Sequence, residues 1–313
     1  MLKPNIEGVK PTLKRTDFPV AVIIETTAYC NLDCIMCPQP KLKRQRGNME
    51  FDVLKKIVDE IAIESKDTQL WFAIMGEPLI NGFDFIKMVK YAKEKNLKNL
   101  NLNTNGCFMN EKIVDELLDC DMYRIIFGID AITPETYSKI RKKGDYFQVI
   151  KNIEYIIKRK KERGLKLPEL IVQFIVMDEN EHEVEKFKKF WLDKGLVVKL
   201  RPKLGWGKGV TAENLTLPDE ERTFPCPWLV RTVSIHWNGN VAQCDGDYEG
   251  IYNVGNIKNN TIKELWNGPL KERRERHWNL DFNFLPCSQC KDWQAGLSYV
   301  YRPENKEGQN EYY

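Results

Sequence analysis

Short apolar runs alternate along the chain with longer stretches in which apolar residues recur at helical spacing. The strand-like runs cover residues 20–24, 70–74, 97–102, 123–129, 170–176 and 197–200. The helical patterns cover residues 51–63, 83–95, 110–119, 145–163 and 181–194. Each strand except the last is followed by a helical pattern, and this order predicts parallel α/β units wound into an incomplete barrel.

Polar groups follow four of the predicted strands at the points where those strands end. The three cysteines of residues 30–37 follow the first strand, and Gly76-Glu77-Pro78 follows the second. Thr104-Asn105-Gly106 follows the third strand, and Asp130 ends the fourth. Because the carboxyl ends of barrel strands meet at one mouth, we expect these groups to converge on a single site.

The barrel pattern stops near residue 205, where a stretch of Gly, Pro and polar residues begins. The sequence predicts an N-terminal arm over residues 1–19, a barrel over 20–204, a linker over 205–225, a small unit over 226–300 and a polar tail over 301–313. In the small unit, residues 232–241 predict a hairpin that turns at Asn238-Gly239, and residues 261–277 predict one charged helix. The last dozen residues are expected to fray.

A formal charge of only +3, from 48 Lys and Arg against 45 Asp and Glu, favours neither nucleic acid nor a membrane surface as a partner. No apolar run approaches the roughly 20 residues that cross a bilayer, and residues 1–19 lack the apolar core of a signal peptide. We therefore expect a cytoplasmic protein. In that reducing compartment, nine cysteines are better suited to metal binding than to disulfides.

Cys30, Cys34 and Cys37 put three thiols in one short loop. Three thiolates can bind three irons of a cubane iron–sulfur cluster, which leaves the fourth iron open to a small molecule. Two simpler interpretations stay open. The spacing would also place three small hydrophobic residues on one helix face, or the thiols could belong to a zinc site.

The cysteine triplet after the first strand, with Gly76-Glu77-Pro78 after the second, resembles the radical S-adenosylmethionine (SAM) superfamily over residues 20 to about 203. The resemblance implies a partial (βα)6 barrel of the TIM type and a 4Fe-4S cluster whose open iron is chelated by SAM. It also implies reductive cleavage of SAM to methionine and a 5'-deoxyadenosyl radical, which abstracts a hydrogen atom from the substrate. Met36 stands where the family often has an aromatic residue, and it would cover the adenine.

The same resemblance implies which residues bind SAM. Gly76 and Glu77 would contact its amino group, Asn105 and Asp130 would reach the ribose hydroxyls, and Arg141 would hold its carboxylate. Simpler interpretations exist for most of them. Glu77 could be an exposed loop acid, Asn105 and Asp130 could cap turns or helices, and Arg141 could belong to a solvated basic run.

A second group of cysteines, Cys226, Cys244, Cys287 and Cys290, comes from separated segments of the small unit. From spacing alone, this group could ligate either one iron–sulfur cluster or one zinc ion. Its order around the motifs of residues 239–266 resembles the SPASM or twitch extension of radical SAM enzymes. The resemblance implies a single auxiliary 4Fe-4S cluster that transfers electrons, as in the radical SAM dehydrogenase of butirosin biosynthesis.

Several further residues are candidates for catalysis. Cys107 follows a strand end and could donate a hydrogen atom to a substrate radical, although packing is the simpler interpretation, and Cys120 is expected to be buried. Asp245 and Asp247 follow a cysteine of the second group and could act as general bases, although a charged turn explains them as well. The charged segment 199–203 could place a cation at the barrel mouth.

The sequence therefore predicts a radical SAM oxidoreductase or epimerase that acts on a C–H centre of a sugar-like or aminocyclitol small molecule. A flavodoxin or ferredoxin-type protein is the expected electron donor, and neither nucleic acid nor a membrane is an expected partner. Two alternatives stay open: modification of a peptide or protein side chain, and a zinc-binding interaction protein without catalysis. Only about 19 residues precede the first strand, which leaves little room for a peptide-recognition module before the barrel.

Overall fold

The computed structural model describes residues 9–206, 209–210, 222–294 and 297–312. Six parallel strands form the wall of an open barrel in chain order: β1 (Ala21–Ile24), β2 (Gln69–Phe72), β3 (Leu100–Thr104), β4 (Arg124–Gly128), β5 (Glu169–Val176) and β6 (Val197–Pro202). Each strand pairs in parallel with the next, so that Val22 lies beside Leu70 and Leu70 beside Leu100. The predicted α/β barrel and its six strands are therefore confirmed.

Six helices connect these strands: α1 (Phe51–Glu64), α2 (Phe83–Glu94), α3 (Glu111–Leu118), α4 (Pro134–Ile140), α5 (Tyr146–Glu162) and α6 (Val184–Asp193). Five of these six match the predicted helices within a few residues, whereas α4 was missed. It begins behind a Thr133 cap and has only seven residues, too few to show a helical period.

The barrel strands send alternate side chains to two apolar layers, as the two-residue period of a strand requires. One layer packs between the sheet and the helices and includes Val22, Phe72 and Phe127. The other layer includes Ile23 and Ile126 and lines the barrel cavity. The barrel therefore has a packed outer core and an inner face that is available for a site at its mouth.

The C-terminal segment extends the barrel sheet instead of forming a sheet of its own. After the short helix α7 (Pro227–Arg231), β7 (Thr232–Ile235) pairs in parallel with β1, and β8 (Asn240–Ala242) and β9 (Gly255–Asn256) continue that edge in antiparallel fashion. The predicted hairpin is thus confirmed. Its turn uses Gly239, whose φ of 87° is unfavourable for residues with a side chain.

The prediction of one helix over residues 261–277 is wrong. The structure has two helices, α8 (Ile262–Asn267) and α9 (Pro269–Trp278), which are separated at Gly268. Gly268 has a non-helical φ of −101° and ψ of −110°, and Pro269 has no N–H with which to continue the hydrogen bonds of α8. Pro269 instead occupies the first position of α9, where a missing N–H costs nothing.

The prediction of a frayed tail over residues 301–313 is also wrong for the described residues. β10 (Leu297–Arg302) and β11 (Asn305–Tyr312) form a hairpin, and β10 pairs antiparallel with β6. Val300 and Tyr301 are buried and anchor the hairpin. Since the hydrogen bonds of a sheet join backbone groups, a polar sequence is compatible with an edge strand such as β11.

The N-terminal arm packs against the C-terminal segment. Val9 and Leu13 are buried in a cluster with Phe224 and Trp293. Residues 1–8 and most of the predicted linker over residues 205–225 lie outside the described residues. In the described ranges, no helix combines the length and the apolar composition that a membrane crossing needs.

Candidate active site

The loop with the first three cysteines follows the carboxyl end of β1. A two-residue antiparallel ladder pairs Cys34 with Arg141 and holds one side of the loop. The side chains of Cys30, Cys34 and Cys37 all line the cavity at the barrel mouth. Burial raises the pKa of the Cys30 and Cys37 thiols to about 12, so they become thiolates only when a metal replaces the proton.

The donors at this loop fit an iron–sulfur cluster. Cys30, Cys34 and Cys37 are free thiols, and thiolates are the usual ligands of such clusters. Asn105 Nδ2 lies 3.9 Å from the sulfur of Cys30, and Arg141 Nη1 lies 3.9 Å from the sulfur of Cys34. N–H groups so placed stabilise the negative charge of metal-bound sulfur.

Gly76 lets the chain after β2 lie directly against the chain after β1. A Cβ atom at this position would be 1.9 Å from the carbonyl oxygen of Thr27 and 2.9 Å from that of Tyr29. The N–H of Glu77 donates a 2.9 Å hydrogen bond to the Tyr29 carbonyl and holds this contact. Only glycine fits here, and its backbone lines the cavity together with Cys30.

Glu77 is 2% exposed, and its carboxylate ties the end of β2 to the end of β3. Its Oε1 accepts hydrogen bonds from Leu79 N at 3.1 Å and Thr104 Oγ1 at 2.7 Å, and its Oε2 accepts one from Asn105 N at 2.7 Å. Burial raises the pKa of this carboxyl group, and the hydrogen bonds oppose that rise. Glu77 lines the cavity, so its interpretation as an exposed loop acid is wrong.

Asn105 and Met36 also line the cavity. Asn105 Nδ2 donates a 2.8 Å hydrogen bond to Asn31 Oδ1, and its Oδ1 accepts one of 3.0 Å from Cys107 N. Asn105 therefore caps a turn and borders the site at the same time. Met36 is 5% exposed and packs with Ile140, which gives the cavity an apolar surface beside the cysteine loop.

Arg141 and Asp130 form a buried ion pair at the cavity wall. Arg141 Nε and Nη2 donate to Asp130 Oδ2 at 2.9 and 2.5 Å, and Ile175 N donates to Oδ1 at 2.6 Å. Burial lowers the pKa of Arg141, but the charge of Asp130, the nearby Cys34 and Tyr137 groups and the hydrogen bond to Asp130 together outweigh burial and leave the pKa above its usual value. The interpretation of Arg141 as a solvated residue is therefore wrong, because it is buried and lines the cavity.

Asp130 has a structural role beside Arg141. Its side chain is fully buried and does not belong to the described lining of the cavity, because both carboxylate oxygens already accept hydrogen bonds from Arg141 and Ile175. In this structure Asp130 positions Arg141, and its contact with ribose stays a prediction. Its backbone φ of 60° turns the chain at the end of β4 so that the carboxylate points inward to this pair.

Replacing Arg141 with alanine is expected to destabilise the protein by about 3–5 kcal/mol, because the Asp130 carboxylate stays buried without its partner. The double variant Asp130→Ala/Arg141→Ala should recover part of that loss. Urea unfolding of the metal-free protein without oxygen measures both values. A matched control is Arg159, whose partners Asp115 and Glu162 have side chains that are 39% and 44% exposed, and Arg159→Ala should lower the urea midpoint far less than Arg141→Ala. Equal losses for the two single variants would contradict this expectation.

The second group of cysteines borders the same cavity. Cys226, Cys244 and Cys290 line it, and Cys287 is buried and accepts a 3.3 Å hydrogen bond from Gln243 Nε2. Burial raises the pKa of all four thiols, and neighbouring thiols add to the rise for Cys226, Cys244 and Cys287. Four thiols from separate segments fit full ligation of an iron–sulfur cluster. Among the described residues, no three His, Cys, Asp or Glu side chains are arranged to chelate one metal ion.

Asp245 and Asp247 occupy different environments. Asp245 lines the cavity and accepts a hydrogen bond from Ser234 Oγ. Burial raises its pKa to about 6, while Ser234 and the charge of Arg201 oppose the rise. Asp247 is 5% exposed and accepts hydrogen bonds of 2.9 Å from the N–H groups of residues 251 and 252. Asp247 therefore shapes a turn, as the charged-turn interpretation expects, and its role as a general base stays a prediction.

Cys107 lies against the outer core and is not among the described residues that line the cavity. Burial raises the pKa of its thiol, and a hydrogen bond with Asn31 opposes that rise. The packing interpretation describes this position, and the prediction that Cys107 donates a hydrogen atom finds no support in its placement. Cys120 is fully buried, as predicted.

Polar residues on the inner faces of the barrel strands form a set that was only partly predicted. Asn103 on β3, Gln173 on β5, and Lys199 and Arg201 on β6 all line the cavity. The expectation of a cation from segment 199–203 agrees with the positions of Lys199 and Arg201. Asn103 and Gln173 were missed, although two-residue alternation along each strand could have assigned them to the inner face.

A further buried ion pair, between Glu25 and Arg44, joins the regions of the two cysteine groups and was missed. Arg44 Nη2 donates to Glu25 Oε1, and Trp237 N donates to Glu25 Oε2 at 3.1 Å. Arg44 Nε also donates to the Tyr248 carbonyl at 2.6 Å. Glu25 follows β1, whereas Tyr248 lies in the loop after Cys244, so this network ties the two loops together. No local sequence pattern signals a pair whose members meet only through the fold.

An open α/β barrel with two groups of free thiols at one cavity is the arrangement expected of an iron–sulfur protein with a reactive site at the barrel mouth. The sequence model of the Radical SAM superfamily matches residues 24–190, and that of SPASM, an iron–sulfur cluster-binding domain, matches residues 226–291. The chain belongs to the radical SAM superfamily. It therefore binds SAM and a 4Fe-4S cluster, and its SPASM part holds auxiliary iron–sulfur. The zinc alternatives do not agree with these matches.

Curated relatives match over part of their length. A tungsten-containing aldehyde ferredoxin oxidoreductase cofactor-modifying protein of Pyrococcus furiosus is 25% identical over 175 residues, which are 55% of this chain and 48% of that protein. A probable GTP 3',8-cyclase of Methanocaldococcus jannaschii is 28% identical over 183 residues, which are 56% of each chain. This chain thus spans about half the length of the curated relatives it matches.

Solved structures share the fold over most of both chains. BtrN in complex with AdoMet and 2-DOIA has a TM-score of 0.54 and 18% identity, and covers 83% of this chain and 87% of BtrN. Streptococcus suis SuiB bound to precursor peptide SuiA has a TM-score of 0.66 and 12% identity, over 90% and 71% of the two chains. Native anSMEcpe with bound AdoMet has a TM-score of 0.62 and 19% identity, over 92% and 89%. At these identities the likeness shows the fold alone.

Proposed function

We propose that this protein is a radical SAM dehydrogenase that oxidises a hydroxyl-bearing carbon of a sugar-like or aminocyclitol small molecule. The observation that supports it most is that both cysteine groups border one cavity. A substrate in that cavity would lie within reach both of the site where a hydrogen atom is abstracted and of a site that accepts an electron. An enzyme that only abstracts and returns a hydrogen atom does not need the second site.

In this proposal the first cysteine group ligates the SAM-binding cluster and the second group ligates the auxiliary cluster. When bound, the first cluster supplies the electron that cleaves SAM to methionine and a 5'-deoxyadenosyl radical. The chain's own residues orient SAM beside it. Gly76 and Glu77 would face the amino group, Asn105 would face the ribose, Arg141 would hold the carboxylate, and Met36 would cover the adenine, and all five residues line the cavity.

The oxidation balances without an added oxidant. The substrate loses one hydrogen atom, which forms 5'-deoxyadenosine, and then loses a proton and an electron, which leaves a carbonyl group. In this proposal Asp245, the cavity carboxylate beside Cys244, receives the proton, and its position in the cavity lining supports that role. The second cysteine group holds the electron acceptor. Of the described residues, every thiol that lines the cavity belongs to one of the two cysteine groups, which favours oxidation over an epimerisation that needs a separate thiol donor.

The lining of the cavity supports a polar, ring-shaped substrate. Trp71 and Trp228 offer flat apolar faces, and Gln173, Lys199 and Arg201 bring hydrogen-bonding groups to the same space. Aromatic faces combined with a few convergent polar groups suit a compact molecule with many hydroxyl groups. A peptide is the alternative substrate, and the proteins with peptides in the compared structures share only the fold with this chain.

Replacing Cys244 with alanine should separate the two halves of this reaction. Because the first cysteine group stays intact, the variant should form 5'-deoxyadenosine within about threefold of the wild-type rate, but at least about tenfold less oxidised product. Dithionite-reduced protein is incubated without oxygen with aminocyclitols and monosaccharides that carry deuterium on their carbinol carbons. Mass spectrometry then detects deuterium in 5'-deoxyadenosine and products that have lost one deuterium and one hydrogen atom.

Cys120→Ala is the control for this experiment, since it removes a buried thiol far from the cavity and should keep both activities. 5'-Deoxyadenosine formation by Cys244→Ala also reports that the variant is folded. A product that has exchanged one deuterium for hydrogen and has kept its hydroxyl hydrogen would replace dehydrogenation with epimerisation. A peptide that becomes modified while no small molecule reacts would overturn the proposed substrate class.

A further inference from the structure

The chain between the first cysteine loop and α1 contacts both cysteine regions of the protein. We call residues 43–47 the bridging segment. It follows Cys37 along the chain, and the side chain of Arg44 in it is only 13% exposed. The partners on its two sides show which parts of the protein this segment holds together.

One side of the bridging segment is bonded to the first cysteine loop. Just before the first cysteine of that loop, Ala28 N donates a 2.9 Å hydrogen bond to the Gly47 carbonyl. Just after the last cysteine, the Gln39 carbonyl accepts a 2.9 Å hydrogen bond from Arg46 Nη2. Because both ends of the loop are tied to it, the bridging segment has a fixed position relative to the first cysteine group.

The other side of the bridging segment is bonded to the chain on either side of Cys244. Arg44 Nε donates a 2.6 Å hydrogen bond to the carbonyl of Tyr248, which follows Cys244. Trp237 precedes Cys244, and its ring lies against the backbone of Gly47, where a Cβ atom would be 2.5 Å from the ring. The bridging segment therefore also has a fixed position relative to a ligand of the second cysteine group.

Glu25 joins the same parts through one carboxylate. It is fully buried and directly follows β1, and its Oε1 accepts a hydrogen bond from Arg44 Nη2 while its Oε2 accepts one of 3.1 Å from Trp237 N. Exchange of a buried ion pair for apolar residues is often neutral or stabilising, so stability alone explains such a pair poorly. An arginine fork that bonds two partners at once does fix their relative geometry.

We propose that Arg44 is a positioning residue that fixes the separation between the two cysteine groups, so that one bound substrate molecule reaches both. This inference rests on the proposed function, in which the first group starts the reaction and the second accepts an electron. A displacement of about 1 Å between reacting groups is enough to slow a reaction strongly. Arg44 is not among the described residues that line the cavity, so it acts through the loops that it joins.

The distance between the two clusters is the most direct readout. Double electron–electron resonance measures it in dithionite-reduced protein after anaerobic reconstitution, and wild type should give one narrow distribution. Arg44→Met removes the fork but keeps a long side chain, and should broaden that distribution at least about twofold. The matched control Arg46→Met removes the same charge from the same segment. The hydrogen bonds of that guanidinium reach only residues 39 and 40, so its loss should leave the width unchanged.

Product formation gives a second readout. The deuterated aminocyclitols and monosaccharides of the preceding experiment serve as probes. Arg44→Met should form 5'-deoxyadenosine within about threefold of the wild-type rate, but about tenfold less oxidised product for each 5'-deoxyadenosine. Arg46→Met should keep the wild-type ratio of the two products, because it loosens only the first cysteine loop.

A second variant separates positioning from stability. Arg44→Met leaves the Glu25 carboxylate buried without its partner, and this lowers stability. Glu25→Gln/Arg44→Met removes both charges. In urea unfolding of the metal-free protein it should be more stable than Arg44→Met, but it should keep the broad distance distribution. Arg44→Lys keeps the charge without the planar fork, and its distribution should be intermediate in width.

A distribution of wild-type width in Arg44→Met, or in the more stable double variant, would overturn the proposal. Equal broadening in Arg46→Met would also overturn it, because the effect would then reflect a loosened first loop. Formation of 5'-deoxyadenosine but of no oxidised product by the wild-type protein would instead contradict the proposed function. The distance measurement would still decide whether Arg44 positions the two groups.

Discussion

The Cys34→Ala variant is expected to hold about half of the iron of the wild-type protein and to form no detectable 5'-deoxyadenosine from SAM. Cys34 is the middle thiol of the first cysteine group, and its sulfur lies 3.9 Å from Arg141 Nη1. The pairing of residue 34 with Arg141 uses backbone groups, so alanine should keep the loop in place. The loss should therefore be confined to the metal. Iron and sulfide analysis after anaerobic reconstitution, followed by chromatography of the nucleoside products, measures both effects.

Cys120→Ala is the matched control, because it also removes one thiol but from the core between α3 and β4. It should cost about 1 kcal/mol of stability, as the loss of a small buried group does, and should keep all of its iron. The same substitution therefore has opposite consequences at the two positions. If Cys34→Ala kept full iron and formed 5'-deoxyadenosine at the wild-type rate, the first cysteine group would not be the site of SAM cleavage.

The Gly76→Ala variant is expected to fold and to bind iron, but to cleave SAM at least about a hundredfold more slowly. The new Cβ would lie 1.9 Å from the Thr27 carbonyl oxygen, which is backbone and has little freedom to move. Residue 76 must therefore shift, and the shift weakens the 2.9 Å hydrogen bond from Glu77 N to Tyr29 and displaces the Glu77 carboxylate. Cleavage is measured with dithionite across a range of SAM concentrations, and circular dichroism reports the fold.

Gly164→Ala separates this steric effect from general strain. Gly164 has a φ of 63°, and no atom of the described residues lies within 4 Å of the point that a Cβ would occupy. It follows α5 at the end of the barrel away from the mouth. Alanine there should cost about 1–2 kcal/mol through its left-handed backbone and leave SAM cleavage unchanged. A rate for Gly76→Ala within about tenfold of wild type would show that the close approach of the two loops is not needed.

The pattern of apolar and polar residues was sufficient to predict the barrel, because the local preference of each segment agrees with the strand or helix that it forms in the fold. Most buried strands are short apolar runs, although β3 alternates leucine with asparagine. Each long helix repeats its apolar residues over at least two turns, and glycine marks the tight hairpin at Gly239. The pattern failed where the element was too short or where pairing depends only on backbone groups. α4 and the edge strand β11 are the two cases.

Within the site, the residues that stand in recognisable motifs could be predicted from the sequence, whereas the contacts that their side chains make could not. The cysteines, Gly76 and Glu77 stand in motifs, and the structure brings both cysteine groups to one cavity. Asp130 and Asp247 were assigned to chemistry from their residue type, but burial and hydrogen bonds give them structural tasks. Asp130 meets Arg141 and Ile175 only after folding, and no local sequence pattern signals these contacts. The partners of Asp247 are close in sequence, but the turn that brings them to its carboxylate is not evident from residue type.

Electron paramagnetic resonance of the dithionite-reduced protein before and after addition of SAM tests the central claim most directly. If SAM binds at the cluster of the first cysteine group, the spectrum of wild-type protein and of Cys244→Ala should change when SAM is added, and that of Cys34→Ala should not. A wild-type spectrum that SAM leaves unchanged, in protein that has its full iron content, would contradict the account.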